Sequence, residues 1–185
     1  MEMIKKSKWI VILIATVLVA LSCKTKSGRM DLTETDSVSK PETTIEKIAY
    51  TNNAEIDFGQ LASRNGDNEI VREYAEEMVD QHKKAQDELE SIAQESNVTL
   101  DDELVLSNMH KPTRDSLSFL SGEAFDSVYI QSQIKMHSAT IDMFEAISDT
   151  TQDQNLKNFV DEYLPKVRMH RMKADSIANL LFGDV

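Results

Sequence analysis

From Val71 to Ile92 the chain sets Val71, Ala75, Met78, His82, Ala85, Leu89 and Ile92 at alternating steps of four and three. That spacing holds seven side chains on one stripe of a helix, and the stripe must be buried against other helices. Three more stretches repeat the pattern. Ile45, Ile48, Asn52, Glu55, Gly59 and Ala62 form one seam, and Ile130, Ile134, His137, Ile141 and Phe144 a second. Leu156, Val160, Tyr163, Val167, His170, Ala174, Ile177 and Leu181 form a third. No segment alternates with period two for long, so strands are not expected. Four long helices, two tight turns and one longer connector predict an all-α, up-down-up-down four-helix bundle.

Local signals place the helix ends. Thr43-x-x-Glu46 is a capping box that opens the first helix, which runs to about Ser63. Asn65-Gly66-Asp67-Asn68 makes a turn, and the second helix extends from about Asn68 to Glu95. The connector is expected to hold a short helix from Asp101 to Met109, with a turn after Pro112. Ser121 caps the third long helix, which ends near Ser148 and Asp149. Thr151-x-x-Gln154 is a second capping-box match opening the fourth, which reaches Leu181. Pro165 removes one backbone bond inside it and is expected to kink it.

Near its middle each seam carries a side chain that can hold a metal or a proton: Glu55, His82, His137 and His170. At 1.5 Å rise per residue they lie about 15–25 Å from the connecting turns, so one central layer can contain all four. Three imidazoles and a carboxylate suit one transition-metal ion, with zinc, copper and iron as candidates. A di-iron site needs Glu-x-x-His on two helices. Val79, Ile134 and Val167 stand where those glutamates would be, which disfavours it. The competing reading makes the histidines structural, hydrogen-bonded polar residues of the core. His110 reads as a surface residue. Met78, Met136, Met143, Met169 and Met172 read as core filler rather than copper ligands. Asp126 and Tyr129 form a possible hydrogen-bonded pair, although Asp126 also suits a helix N-terminus on dipole grounds alone. No nucleophile has a recognisable base, and no phosphate loop exists, so no catalytic residue is assigned.

Upstream of these seams lies an export signal. Lys5, Lys6 and Lys8 precede an apolar run from Trp9 to Leu21, too short for an ordinary membrane span. Ala20-Leu21-Ser22-Cys23 resembles a lipobox, in which the cysteine receives a lipid and becomes the first mature residue. The expected organisation is a signal peptide over 1–22, a lipidated Cys23 and polar linker over 23–42, and a helical domain over 43–185. The protein would then be anchored to a membrane of the cell envelope, facing the periplasm or the exterior. Without residues 1–22, 17 basic side chains face 31 acidic ones, a charge of −14 that argues against nucleic acid as a partner.

Four segments also resemble a known family: Asn53–Ala62, Val71–His82, Ser121–Tyr129 and Leu164–His170. They are similar to a bacterial domain-of-unknown-function family whose members are often labelled predicted outer-membrane proteins and carry a ferritin-like four-helix fold. The resemblance spans about 43–182 and implies an exported helical bundle with no assigned activity. Its pattern commonly reads Asp-Asp-His and Lys-Asp-His, where this chain has Asp80-Gln81-His82 and Lys135-Met136-His137. Two functions stay open. One is a membrane-anchored metal-binding lipoprotein, and the other a non-catalytic envelope stress or interaction protein.

Overall fold

Thr43 caps the first described helix as the sequence predicts. Its hydroxyl accepts from the Glu46 amide, and the Glu46 carboxylate accepts from the Thr43 amide, closing both halves of the capping box. The computed structural model describes residues 43–100 and 106–183. Within them the regular structure is helical throughout: α1 (Thr44–Asn65), α2 (Glu69–Glu95), α3 (Lys111–Phe119), α4 (Gly122–Thr150) and α5 (Gln154–Phe182). The signal segment, Cys23, the linker and positions 101–105 lie outside the described residues. No described helix is long and apolar enough to cross a membrane.

Three local expectations need correction. Of the short helix expected from Asp101 to Met109, positions 101–105 lie outside the described residues and 106–109 are not helical; the connector's described helix is α3, with Pro112 in its first turn, where a missing amide costs nothing. Ser121 occupies the N-cap position of α4 but makes no side-chain capping bond. Asp153, not Thr151, caps α5, because its Oδ1 accepts from the amides of both Asn155 and Leu156. A carboxylate there also faces the positive end of the helix dipole.

The long helices form two hairpins, α1 against α2 and α4 against α5, with α2 bordering α5 and α1 bordering α4. Side-chain bonds at the two ends fix their directions. Asp126, in the second turn of α4, accepts from the amides of Asp67 and Asn68 at 2.9 and 2.7 Å. The start of α4 is thereby pinned beside the α1–α2 turn. At the far end Asn155 donates to Glu95, and Ser96 donates to Asp153, which sets the start of α5 beside the end of α2. Helix α4 therefore runs parallel to α2, and the order is up-down-down-up rather than up-down-up-down. A short turn would have forced α4 to reverse. The stretch from Ser96 to Ser121 is instead long enough to return the chain along α2, whose 27 residues span about 40 Å.

The core divides into two apolar clusters. One holds Phe58, Ala62, Val71, Met78, Leu117, Phe125 and Tyr129, near the α1–α2 turn. The other holds Ile45, Ile48, Leu89, Phe144, Phe159 and Val160, toward the opposite end. Between them lies a buried polar layer: Asn52, Glu55, His82, Gln86, Gln133, His137, Thr140 and His170. Gly59 lets α1 approach α2 closely just above that layer. A Cβ on it would fall 2.7 Å from Val79 Cγ2 and 3.1 Å from the Ala75 carbonyl oxygen.

Candidate metal centre

Each imidazole reaches the polar layer from its own helix, carried there by the seam that brings Met78, Phe144 or Val167 into the core. His82 comes from α2, His137 from α4 and His170 from α5, and all three are buried. Ring centroids stand 5.7 Å apart for His82–His137, 5.6 Å for His82–His170 and 5.2 Å for His137–His170. One ring nitrogen from each lies within 4.8 Å of the other two.

The outer nitrogen of every ring meets an oxygen. His82 Nδ1 lies 3.1 Å from Asn52 Oδ1, His137 Nδ1 lies 2.8 Å from the Gln133 carbonyl, and His170 Nε2 lies 2.8 Å from Gln81 Oε1. Carbonyl oxygens accept and cannot donate, so each of these nitrogens carries the proton. The other nitrogens then hold the lone pairs. They are His82 Nε2, His137 Nε2 and His170 Nδ1, all buried and without a hydrogen-bond partner. Metal-binding histidines are oriented in this way, one nitrogen tied back to an oxygen and the other aimed at the ion. A structural histidine, by contrast, satisfies its buried nitrogens within the protein.

Electrostatics oppose a charge on two of the three rings. Burial first, then the neighbouring His137 and His170, hold His82 well below the usual histidine range. Burial, then His137, Lys173 and Lys166, lower His170 to about 3. Both rings are neutral near pH 7, the form in which a nitrogen binds a metal.

The fourth expected ligand stands apart from this convergence. Glu55 Oε1 lies 3.7 Å from His137 Nδ1, behind the ring rather than on the side of its free nitrogen. Its Oε2 accepts from Gln133 Nε2 at 2.7 Å. Burial raises its pKa, opposed by His137 and Gln133. The structure thus joins the three histidines at one point and leaves Glu55 as a neighbouring charge. The expected pairing of Asp126 with Tyr129 is corrected: Asp126 bonds the α1–α2 turn, and the buried Tyr129 hydroxyl has no partner. His110 is half-buried, not a surface residue, and its Nδ1 lies 3.0 Å from Ser107 Oγ. Met78 is core as expected, whereas Met169 and Met172 are exposed.

Sequence reasoning missed the supporting residues. Gln133 bonds Glu55 and accepts from the Tyr74 hydroxyl, and its carbonyl fixes His137. Asn52 lies on the predicted seam, but its contact with His82 joins residues thirty apart and carries no local sequence signal. Gln81 occupies a position where the resembling family commonly has an acid, and it reaches across to His170 on α5.

A family model described as Domain of unknown function (DUF4142) matches residues 28–177. The chain belongs to that family. No curated protein matches the DUF4142 chain in sequence. Three solved structures share its fold at low identity. A DUF305 fragment from Deinococcus radiodurans has a TM-score of 0.66 at 12% identity, over 75% of this chain and 94% of that one. CopM in its Cu(I)-bound form gives 0.62 at 14% identity, over 75% and 95%. A DUF305 protein from Streptomyces coelicolor gives 0.60 at 13% identity, over 74% and 90%.

Proposed function

We propose that this DUF4142 protein binds one transition-metal ion through His82, His137 and His170, copper first and zinc second. The observation that carries the reading is the set of three buried, unpartnered ring nitrogens, each opposite a nitrogen tied to an oxygen. Imidazole suits copper, zinc and iron. Three neutral rings beside a single carboxylate neutralise a monovalent ion more fully than a divalent one, which favours Cu(I). The Cu(I)-bound state of the structural neighbour CopM makes copper the natural first trial. Glu55 supplies nearby negative charge instead of a fourth bond. The free nitrogens lie within 4.8 Å of one another, close enough for small ring movements to bring them to the 2.0–2.1 Å that a bound ion requires.

The rest of the reading concerns place and fold. The two hairpins with one long crossover support a ferritin-like four-helix bundle. The basic head, apolar run and Cys23 support export and lipid anchoring to an envelope membrane, with no nucleic-acid partner.

The test is metal analysis of the purified full-length chain after copper loading under reducing conditions, beside a His137→Ala/His170→Ala variant. The expected result is about one ion per wild-type chain and a large loss in the variant. Equal, negligible metal in both samples would leave the histidines structural. Membrane partition of Cys23→Ser, expected to fall, tests the anchor, and unchanged partition refutes it.

A further inference from the structure

Of the three tied-back nitrogens, that of His137 meets a backbone carbonyl, whose polarity cannot reverse. His170 instead meets the side-chain amide of Gln81, which carries an acceptor at one end and donors at the other and can present either. What stands behind that amide therefore decides which end His170 meets. Gln81 Nε2 lies 2.9 Å from Glu77 Oε1, one turn earlier on α2. An ionised carboxylate only accepts, so the amide turns its NH2 to Glu77 and its oxygen to His170. Lys173, three residues beyond His170 on α5, donates to both Glu77 oxygens at 2.7 and 2.6 Å and keeps the carboxylate in place. A directed chain of hydrogen bonds thus crosses between α2 and α5 through Lys173, Glu77, Gln81 and His170. By comparison, the Asn52 amide beside His82 leads on to Gln86 and Glu90 through longer contacts of 3.5 and 3.4 Å.

We infer that Glu77 is a positioning residue of the metal centre: acting through Gln81, it holds His170 in the tautomer with its proton on Nε2, which leaves Nδ1 free for the ion. The inference rests on the metal-binding reading above. Glu77 acts at one remove, from a partly exposed position on α2. Were the Gln81 amide reversed, its NH2 would face Nε2, and that nitrogen would have to accept. The ring proton would then sit on Nδ1, and a nitrogen that carries a proton cannot coordinate a metal. Partners that orient a ligand in this way contribute about tenfold to a hundredfold in metal affinity.

The test reads the tautomer directly. Nitrogen NMR of the metal-free, full-length chain, isotope-labelled at its four histidines, distinguishes a protonated Nε2 from a bare one, and His170→Gln identifies the His170 signals. The exchange pair Glu77→Lys/Lys173→Glu keeps the net charge and the ion pair but sets a donor beside Gln81. The expected result is Nε2–H in wild type and Nδ1–H in the exchange pair, whose copper affinity under reducing conditions falls by at least about tenfold. A role in charge or packing alone would leave the tautomer where it is. Nδ1–H in wild type, or Nε2–H retained in the folded exchange pair, overturns the inference. Should the pair fail to fold, a mutant cycle on copper affinity decides. Glu77→Gln then weakens binding several-fold in the wild-type background and has no effect in Gln81→Met, because its route is gone. Equal weakening in both backgrounds means that Glu77 acts through its charge, which overturns the assignment. No copper uptake by wild type removes the metal reading, and the nitrogen spectra still decide whether Glu77 sets the tautomer of His170.

Discussion

Acid treatment of the metal-free protein tests whether the central imidazoles are held neutral. Take His170, lowered to about 3 in the folded protein by burial and by the positive charges near it. In the unfolded chain its pKa returns to about 6.5. Between those values the unfolded chain takes up a proton that the folded one refuses, so stability is intact above about pH 6.5 and drains away as pH falls toward 3. From pH 7 to pH 5 the linkage removes about 2 kcal/mol through His170. His82 is lowered as well and acts in the same sense. Glu55 acts oppositely, because its raised pKa lets the folded state take up a proton first. The total slope mixes these terms, and a difference isolates one of them. Urea unfolding of wild type and His170→Gln, both with chelator, should show wild type losing about 2 kcal/mol more than the variant between the two pH values. A gap between the two proteins that is the same at pH 7 and pH 5 would refute the claim that burial keeps His170 neutral.

Other perturbations follow from the same geometry. Copper at a free concentration one hundred times its dissociation constant raises unfolding stability by about 2.7 kcal/mol. His137→Ala abolishes that gain, which a urea midpoint with and without copper reads directly. Gly59→Ala drives a methyl into Val79 and the Ala75 carbonyl, a contact the stiff, β-branched Val79 cannot easily relieve. Overpacking of this kind costs about 1–3 kcal/mol in equilibrium unfolding, and an unchanged midpoint would mean that α1 moves freely off α2. Asp126→Ala removes the acceptor for two backbone amides at the α1–α2 turn, each bond to a charged group being worth about 1.5–3 kcal/mol. Asp126→Asn keeps one acceptor oxygen but turns its NH2 toward the second backbone amide, donor against donor, and should recover less than half of that loss. Met78→Ala opens a hole in the fully buried cluster near the turn and lowers stability by about 2–5 kcal/mol by the same measurement.

Helices were legible because their seams are periodic, and the α1, α2 and α5 seams fall on the buried face apart from the partly covered Tyr163 and Leu181. On α4 the predicted seam through Ile134 and Ile141 lies one position off the buried stripe at those two points. The buried stripe there is Asp126, Ile130, Gln133, His137, Thr140, Phe144 and Ile147, which keeps strict steps of four and three. Hydrophobicity alone hides it, because four of its seven members, Asp126, Gln133, His137 and Thr140, are polar, and the two isoleucines beside it are more apolar. The same substitution hid Gln133 as the support for both Glu55 and His137. Helix direction was not legible either. A periodic seam is identical for a helix read up or down, and the direction is set by end contacts such as Asp126 to Asp67, which join residues distant in sequence. The three histidines were found because each broke an apolar seam near mid-helix. Glu55 broke one too, but a height and a face place a side chain only to within its own length, and the carboxylate settled behind His137.

The polar layer between the two apolar clusters also acts on how the helices can be aligned. A heptad pattern by itself tolerates sliding by one repeat, about 10 Å along the axis, since apolar residues meet apolar residues again. Here such a slip of α2 would carry His82 into the neighbourhood of Leu89's neighbours, leave Asn52, His82 and His170 without their counterparts and take Tyr74 away from Gln133. Each stranded buried group carries a desolvation penalty of about 1–3 kcal/mol, so several together make the shifted alignment uncompetitive. The layer is thus an index mark for assembly as well as a place for chemistry. Variants that replace its members with leucine face a double consequence: the core becomes more apolar and the offset of one hairpin on the other becomes ambiguous.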